Sequence, residues 1–136
     1  MIRTIVRDPL FLSQKSSPAT QADLPAARDL LDTLIANQER CVGMDANMIG
    51  ISKCIIAVHS GPVTLVMLNP VITSRKTPYQ TEEGCLSLDG VRPTTRYQTI
   101  EVSYQDMQFK PQKMTFSAWI AQIIQHEIDH CMGILI

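Results

Sequence analysis

Apolar residues first recur at helical spacing in residues 21–38, where Ala27, Leu30, Leu31, Leu34 and Ile35 fall on one face. That period predicts a helix. Before it, SQKSSPATQAD at 13–23 is polar, contains Pro18 and reads as a loop. After it, CVGMDANMIG holds Gly43 and Gly50 around a short apolar stretch. The period then shortens. Cys54–Val58 and Val63–Leu68 are apolar runs joined by His59-Ser60-Gly61-Pro62, which predicts two strands and a turn. Asn69-Pro70 is expected to end the second strand, and the polar Ser74–Gln80 to form a loop. Leu86–Leu88 and Tyr97–Tyr104 are further strand candidates, the latter because Ile100, Val102 and Tyr104 alternate with polar residues. Met114–Phe116 adds a short one.

A last helix is predicted over 118–131, with Ser117 as its N-cap. At ~100° per residue, Trp119, Ile120, Ala121, Ile123, Ile124, Ile128 and Cys131 cover an apolar arc of roughly 200°. Only Gln122, Gln125 and Asp129 are left as a polar stripe, so the helix is expected to be mostly buried. Strands around such a helix predict an α+β fold, with antiparallel β-sheets packed around the C-terminal helix. At 136 residues the chain is expected to be one domain with a real core.

That buried helix carries HEIDH at 126–130. His126 and His130 are four apart, so both imidazoles point to one side and can share a metal ion. Glu127 lies beside them, placed to move a proton of a water molecule held there. A catalytic zinc or iron site needs a third protein ligand. CMGILI, which follows, offers no His or Glu, and Cys131 is badly placed directly after His130. The ligand is therefore expected upstream, unlike in the ordinary HExxH proteases. Cys41, Cys54, Cys85, His59 and carboxylates are the candidates. Cys54 sits in an apolar strand, where an inert thiol is expected, and His59 in a turn. Cys41 precedes a glycine segment and stays in play. Cys85 is favoured: Gly84 beside it permits close backbone approach, and a thiolate with two imidazoles suits zinc or ferrous iron.

Composition narrows the setting. Apolar residues make up 45% and charged residues 18%, as in an ordinary soluble globule. A net charge of −1 gives no electrostatic case for nucleic acid or an anionic membrane. MIRTIVRDPL is broken by Arg3, Arg7 and Asp8 and does not read as a secretory signal. The four cysteines are accordingly read as reduced thiols and the setting as cytoplasmic.

Glu83-Gly84-Cys85-Leu86-Ser87 and His126-Glu127-Ile128-Asp129-His130, in that order, resemble the E-G-C-L-S and H-E-x-D-H motifs of the peptide deformylase family. Asp8-Pro9, the 21–38 helix, and Arg92 and Arg96 after Cys85 also fit, so the resemblance covers nearly the whole chain. It implies that Cys85, His126 and His130 hold Fe2+, with Zn2+ or Ni2+ able to replace it. It implies Glu127 as general base and then acid, and the Leu86 N–H as a donor to the developing oxyanion. The implied substrates are N-formylmethionyl peptides, with formate released. The methionine pocket would fall near Val42, Trp119 and Gln122, with Gly43 and Gly84 alongside, and Glu83 would be braced by Arg96. A weak or redirected amide hydrolase, or a non-catalytic binder of peptide N-termini, is the alternative.

The first family motif departs from the pattern. The chain reads Val42-Gly43-Met44-Asp45-Ala46-Asn47-Met48 where the family commonly shows V-G-L-A-A-x-Q. Met48 cannot supply the amide that the glutamine gives to the oxyanion, a loss that can cost on the order of 10²–10³ in rate. Asn47 in an extended segment would point away. Asp45 replaces a small apolar residue; buried, it needs a partner or a proton, and exposed it is harmless. The sequence also lacks the C-terminal helix that some members use to reach the ribosome, so docking of that kind is not expected.

Overall fold

The computed structural model describes residues 1–85 and 87–135. The chain enters through a one-turn helix, α1 (Pro9–Leu12), capped by the Asp8 carboxylate, which accepts from the Leu10 N–H at 3.0 Å. A 3-10 turn at Gln21–Asp23 leads into α2 (Leu24–Ala36), inside the predicted span. Its buried face is Ala27, Leu30, Thr33 and Leu34, while Ile35 turns outward.

Five strands follow: β1 (Gly43–Asp45), β2 (Ile55–Ser60), β3 (Val63–Cys85), β4 (Leu88–Gln105) and β5 (Pro111–Ser117). They form one antiparallel sheet in chain order. The last helix, α3 (Ala118–Cys131), returns across it. The alternation of side chains along β2 explains the two cores. Ile55 and Ala57 join Leu12, Leu30, Leu34 and Leu68 on the α1–α2 side. Ile56 and Val58 join Met67, Ile100, Val102 and Ile124 on the α3 side. A strand covered on both faces reads as an unbroken apolar run, and β2 does.

Several expectations change. Ser74–Gln80 is not a loop: it pairs with β4 from Ser74↔Glu101 to Gln80↔Thr95. Its backbone is satisfied by the ladder while its side chains meet water, so polarity there signals an exposed strand. Asn69-Pro70 does not end β3 either. Asn69 adopts φ +53, a conformation Asn tolerates, and the register shifts between Leu68 and Val71. The Asn69 amide donates to the Ala19 carbonyl at 2.9 Å and to Gln105 Oε1 at 2.7 Å, and its Oδ1 accepts from the Ala19 N–H at 2.7 Å. A bulge absorbs the proline, whose missing N–H needs no ladder partner there.

In the Leu86–Leu88 candidate, β4 begins at Leu88 and Ser87 lies in the turn, while Leu86 lies outside the described residues. Further register shifts fall between Ile72 and Ser74 and between Gly84 and Cys85. On α3 the buried face differs from the predicted arc at two points. Trp119 is 63% exposed, and Gln125 is buried. Gln125 is tolerated because its amide accepts from the Tyr97 N–H and donates to the Tyr97 carbonyl, both at 2.9 Å. Ser117 occupies the N-cap position but makes no side-chain cap; its hydroxyl lies 3.2 Å from that of Thr99. Among the described residues, no helix is long and apolar enough to cross a membrane.

The end of α3 is held tightly. Gly133 has φ +79, and a Cβ there would lie 2.4 Å from the Ser13 carbonyl oxygen. Gly133→Ala is expected to destabilise the protein by about 2 kcal/mol or more, from left-handed strain plus a backbone clash. Urea unfolding checks this; an unchanged midpoint would show that the 13–14 segment yields freely.

Candidate active site

Four elements meet around a cavity of about 590 Å³, with the start of β4 contributing Leu88, Asp89 and Gly90. The segment entering β1 brings Cys41, Val42 and Gly43; the end of β3 brings Glu83, Gly84 and Cys85; α3 brings Trp119, Gln122, His126 and Glu127. Val42, Gly43, Gly84, Trp119 and Gln122, grouped by resemblance alone, thus lie on one cavity wall or another. Leu86 lies outside the described residues, so its N–H has no geometry to report.

The ligand-capable atoms of Cys85, His126 and His130 all lie within 4.8 Å of one another. The two imidazole centroids are 4.8 Å apart, as the i, i+4 spacing requires. A tetrahedral ion with these donors needs them roughly 3.3–3.6 Å apart, within reach of small side-chain shifts. Cys41, the other thiol at the cavity, donates to the Gly43 carbonyl at 2.8 Å, and burial pushes its pKa up to about 12. It stands outside the three-residue cluster.

The charge around the histidines is arranged by Glu83. Its Oε1 lies 2.8 Å from His126 Nδ1 and accepts from Arg96 Nη2 at 2.7 Å. Its Oε2 accepts from Arg96 Nε at 3.0 Å and Gln122 Nε2 at 2.9 Å. Burial pushes the Glu83 carboxyl up, but hydrogen bonds from His126, Arg96 and Gln122 outweigh it and hold the pKa at about 2. The bond to Nδ1 leaves His126 Nε2 for a metal. Burial disfavours charge on His126, yet Cys85, Glu127 and Glu83 together raise it to about 10. These surroundings favour a cation, which is the character a metal site needs.

Arg96 is itself buried and reaches two acids: Nη1 donates to Asp129 Oδ2 at 2.6 Å. The role of Asp129 escaped the sequence reading, though the signal was present. A buried guanidinium has more donors than one carboxylate can accept, and the acid inside HEIDH was the unassigned one.

Glu127 is buried, and its Oε1 has no hydrogen-bond partner among the described residues. Burial raises its pKa to about 7, with His126 pulling down and Glu83 pushing up. That range suits proton transfer near neutral pH. The room it occupies is the space where Gly43 lacks a side chain. A Cβ there would sit 2.6 Å from Ile123 Cγ2 and 3.0 Å from Glu127 Oε2.

The altered first motif resolves into three environments. Met48 is buried in the apolar core beside α1 and α2 and is not among the described residues lining the cavity. Asn47 is not extended: it lies in a 3-10 turn at Ala46–Ile49 and donates to the His130 carbonyl at 3.0 Å. Asp45 is fully buried, with its Oδ1 3.9 Å from His130 Nδ1. Burial, then the nearby Glu127, raise its pKa well above the carboxylate range.

A family model described as Polypeptide deformylase matches residues 2–136. A peptide deformylase of Clostridium beijerinckii is 54% identical over the full length of both chains. One from Pelotomaculum thermopropionicum is 45% identical over 71% of this chain and 63% of its own. Among solved structures, a class I type b peptide deformylase from Acinetobacter baumannii, bound to Met-Ala-Ser, superposes with a TM-score of 0.88. It is 27% identical and the match covers 99% of this chain and 97% of that one. A peptide deformylase from Legionella pneumophila gives the same TM-score at 31% identity, over 99% and 83% of the two chains. Matches that run along the whole chain in both sequence and structure make it a member of the peptide deformylase family.

Proposed function

We propose that residues 1–136 form one metal-dependent deformylase domain, which hydrolyses the N-formyl group of formylmethionyl peptides to formate and a free amine. The observation that carries this is the convergence of Cys85, His126 and His130 beside a buried Glu127, with Cys85, His126 and Glu127 lining a cavity of about 590 Å³. The Cys/His set suits Fe2+, which we take as the ion, with Zn2+ or Ni2+ able to substitute. When bound, a divalent ion polarises a carbonyl oxygen and makes water acidic near neutral pH.

The chain's own residues do the rest. Glu127, with its pKa raised to about 7, takes a proton as the water oxygen bonds to the formyl carbon. It returns that proton to the amide nitrogen as the carbon–nitrogen bond breaks. Glu83, fixed by Arg96, holds His126 in the tautomer that presents Nε2. Val42, Trp119 and Gln122 line the wall where a methionine side chain would lie. The Leu86 N–H is assigned to the oxyanion by family resemblance, and Met48 adds no donor to it.

The deciding measurement is formate release from formyl-Met-Ala-Ser by anaerobically prepared, iron-loaded protein. Metal bound without release would favour the redirected-hydrolase reading. Glu127→Ala is expected to keep its metal and lose about 10²–10⁴-fold in kcat; retained turnover would refute its role. Cys85→Ser is expected to lose most bound metal by elemental analysis, and full retention would move the ligand to Cys41. Met48→Gln places an amide in an apolar core and is expected to cost about 1–3 kcal/mol of stability. Unchanged thermal unfolding would show that the amide finds a partner.

A further inference from the structure

Asp45 is the residue of the first motif with least reason to be where it is. It is fully buried at the end of β1, next to the 3-10 turn at Ala46–Ile49. Among the described residues no donor reaches hydrogen-bond geometry with either carboxylate oxygen. A lone buried acid is costly, and the small apolar residue common in the family would avoid the cost.

Its position suggests what it is for. Oδ1 lies 3.9 Å from His130 Nδ1, with both side chains fully buried. Two residues on, Asn47 Nδ2 donates to the His130 carbonyl at 3.0 Å, so this segment is tied to α3 at that residue. On the other side of the site, Glu83 Oε1 lies 2.8 Å from His126 Nδ1. The two histidines therefore each have an acidic side chain on the Nδ1 side.

We infer that Asp45 is a positioning residue for His130, accepting from its Nδ1–H and so aiming Nε2 at the ion, as Glu83 does for His126. This rests on the ligand set proposed above. The gap of 3.9 Å would have to close by about 1 Å to reach hydrogen-bond length, a shift within the swing of two side chains. A carboxyl oxygen in this role orients the imidazole and fixes its tautomer.

The test uses zinc-loaded protein. Zinc affinity is measured by chelator competition for wild type, D45N and D45A, and the histidine ring nitrogens are followed by 15N NMR. Wild type should show His130 protonated at Nδ1 and coordinated through Nε2. D45N and D45A should bind zinc about 10–100-fold more weakly, with the His130 Nδ1–H signal moved and that of His126 in place. D45A, relieved of a buried acid, should nonetheless unfold at no lower temperature as apoprotein. A variant that merely loosened the fold would shift both histidines and lower that temperature, and this result would overturn the inference. Wild-type affinity in both variants, or zinc on Nδ1 of His130, would overturn it too. Wild-type protein that binds no zinc would overturn the ligand set itself and the inference with it.

Discussion

The hydrogen bonds converging on the Glu83 carboxylate hold the site together. One acid at the end of β3 accepts from Arg96 on β4 and from Gln122 on α3, and sits against His126 on α3. Arg96 in turn grips Asp129, one residue before His130. Sheet and helix are thereby locked at the point where their functional side chains meet. Most of the group is charged and it is largely shielded from water, so its members depend on one another. Removing any partner would leave a buried charge exposed to the penalty that the network exists to offset.

The same network explains how two acids close together can differ so widely. Glu83 is surrounded by donors and stays ionised, whereas Glu127 has burial as its dominant influence and sits near neutrality. Separate environments for neighbouring carboxyls are a general route to separate roles. Here one is an anchor, and the other has the raised pKa that suits proton transfer near neutral pH. Gly43 contributes by omission, since the space it leaves is filled by Ile123 and Glu127.

Much of this was legible in the residues. The α3 helix, the i, i+4 histidines and the upstream cysteine follow from periodicity and coordination chemistry, and the structure brings all three donors together. What failed to show failed for physical reasons. Ser74–Gln80 is polar because both its faces meet water, and hydropathy cannot separate that from a loop. Asn69-Pro70 looked like a stop because a bulge depends on distant partners, Ala19 and Gln105. Gln125 looked exposed because its partner, the Tyr97 backbone, is far away in sequence. Asp45 stood out as a departure, but its burial depends on β1 sitting against α3.

The irregular ladder at the end of the β3–β4 hairpin has a consequence for folding. Pairing loses register between Gly84 and Cys85, at the position that brings the thiol to the cavity. The hairpin end is thus only weakly specified by its own backbone bonds. An ion shared between Cys85 and the α3 histidines would act as a cross-link, closing the stretch of chain from 85 to 126. Occupancy of the site and local order of the hairpin would then be a single equilibrium. The atoms proposed to hold the ion would then also serve as the fastening of the strand that carries one of them.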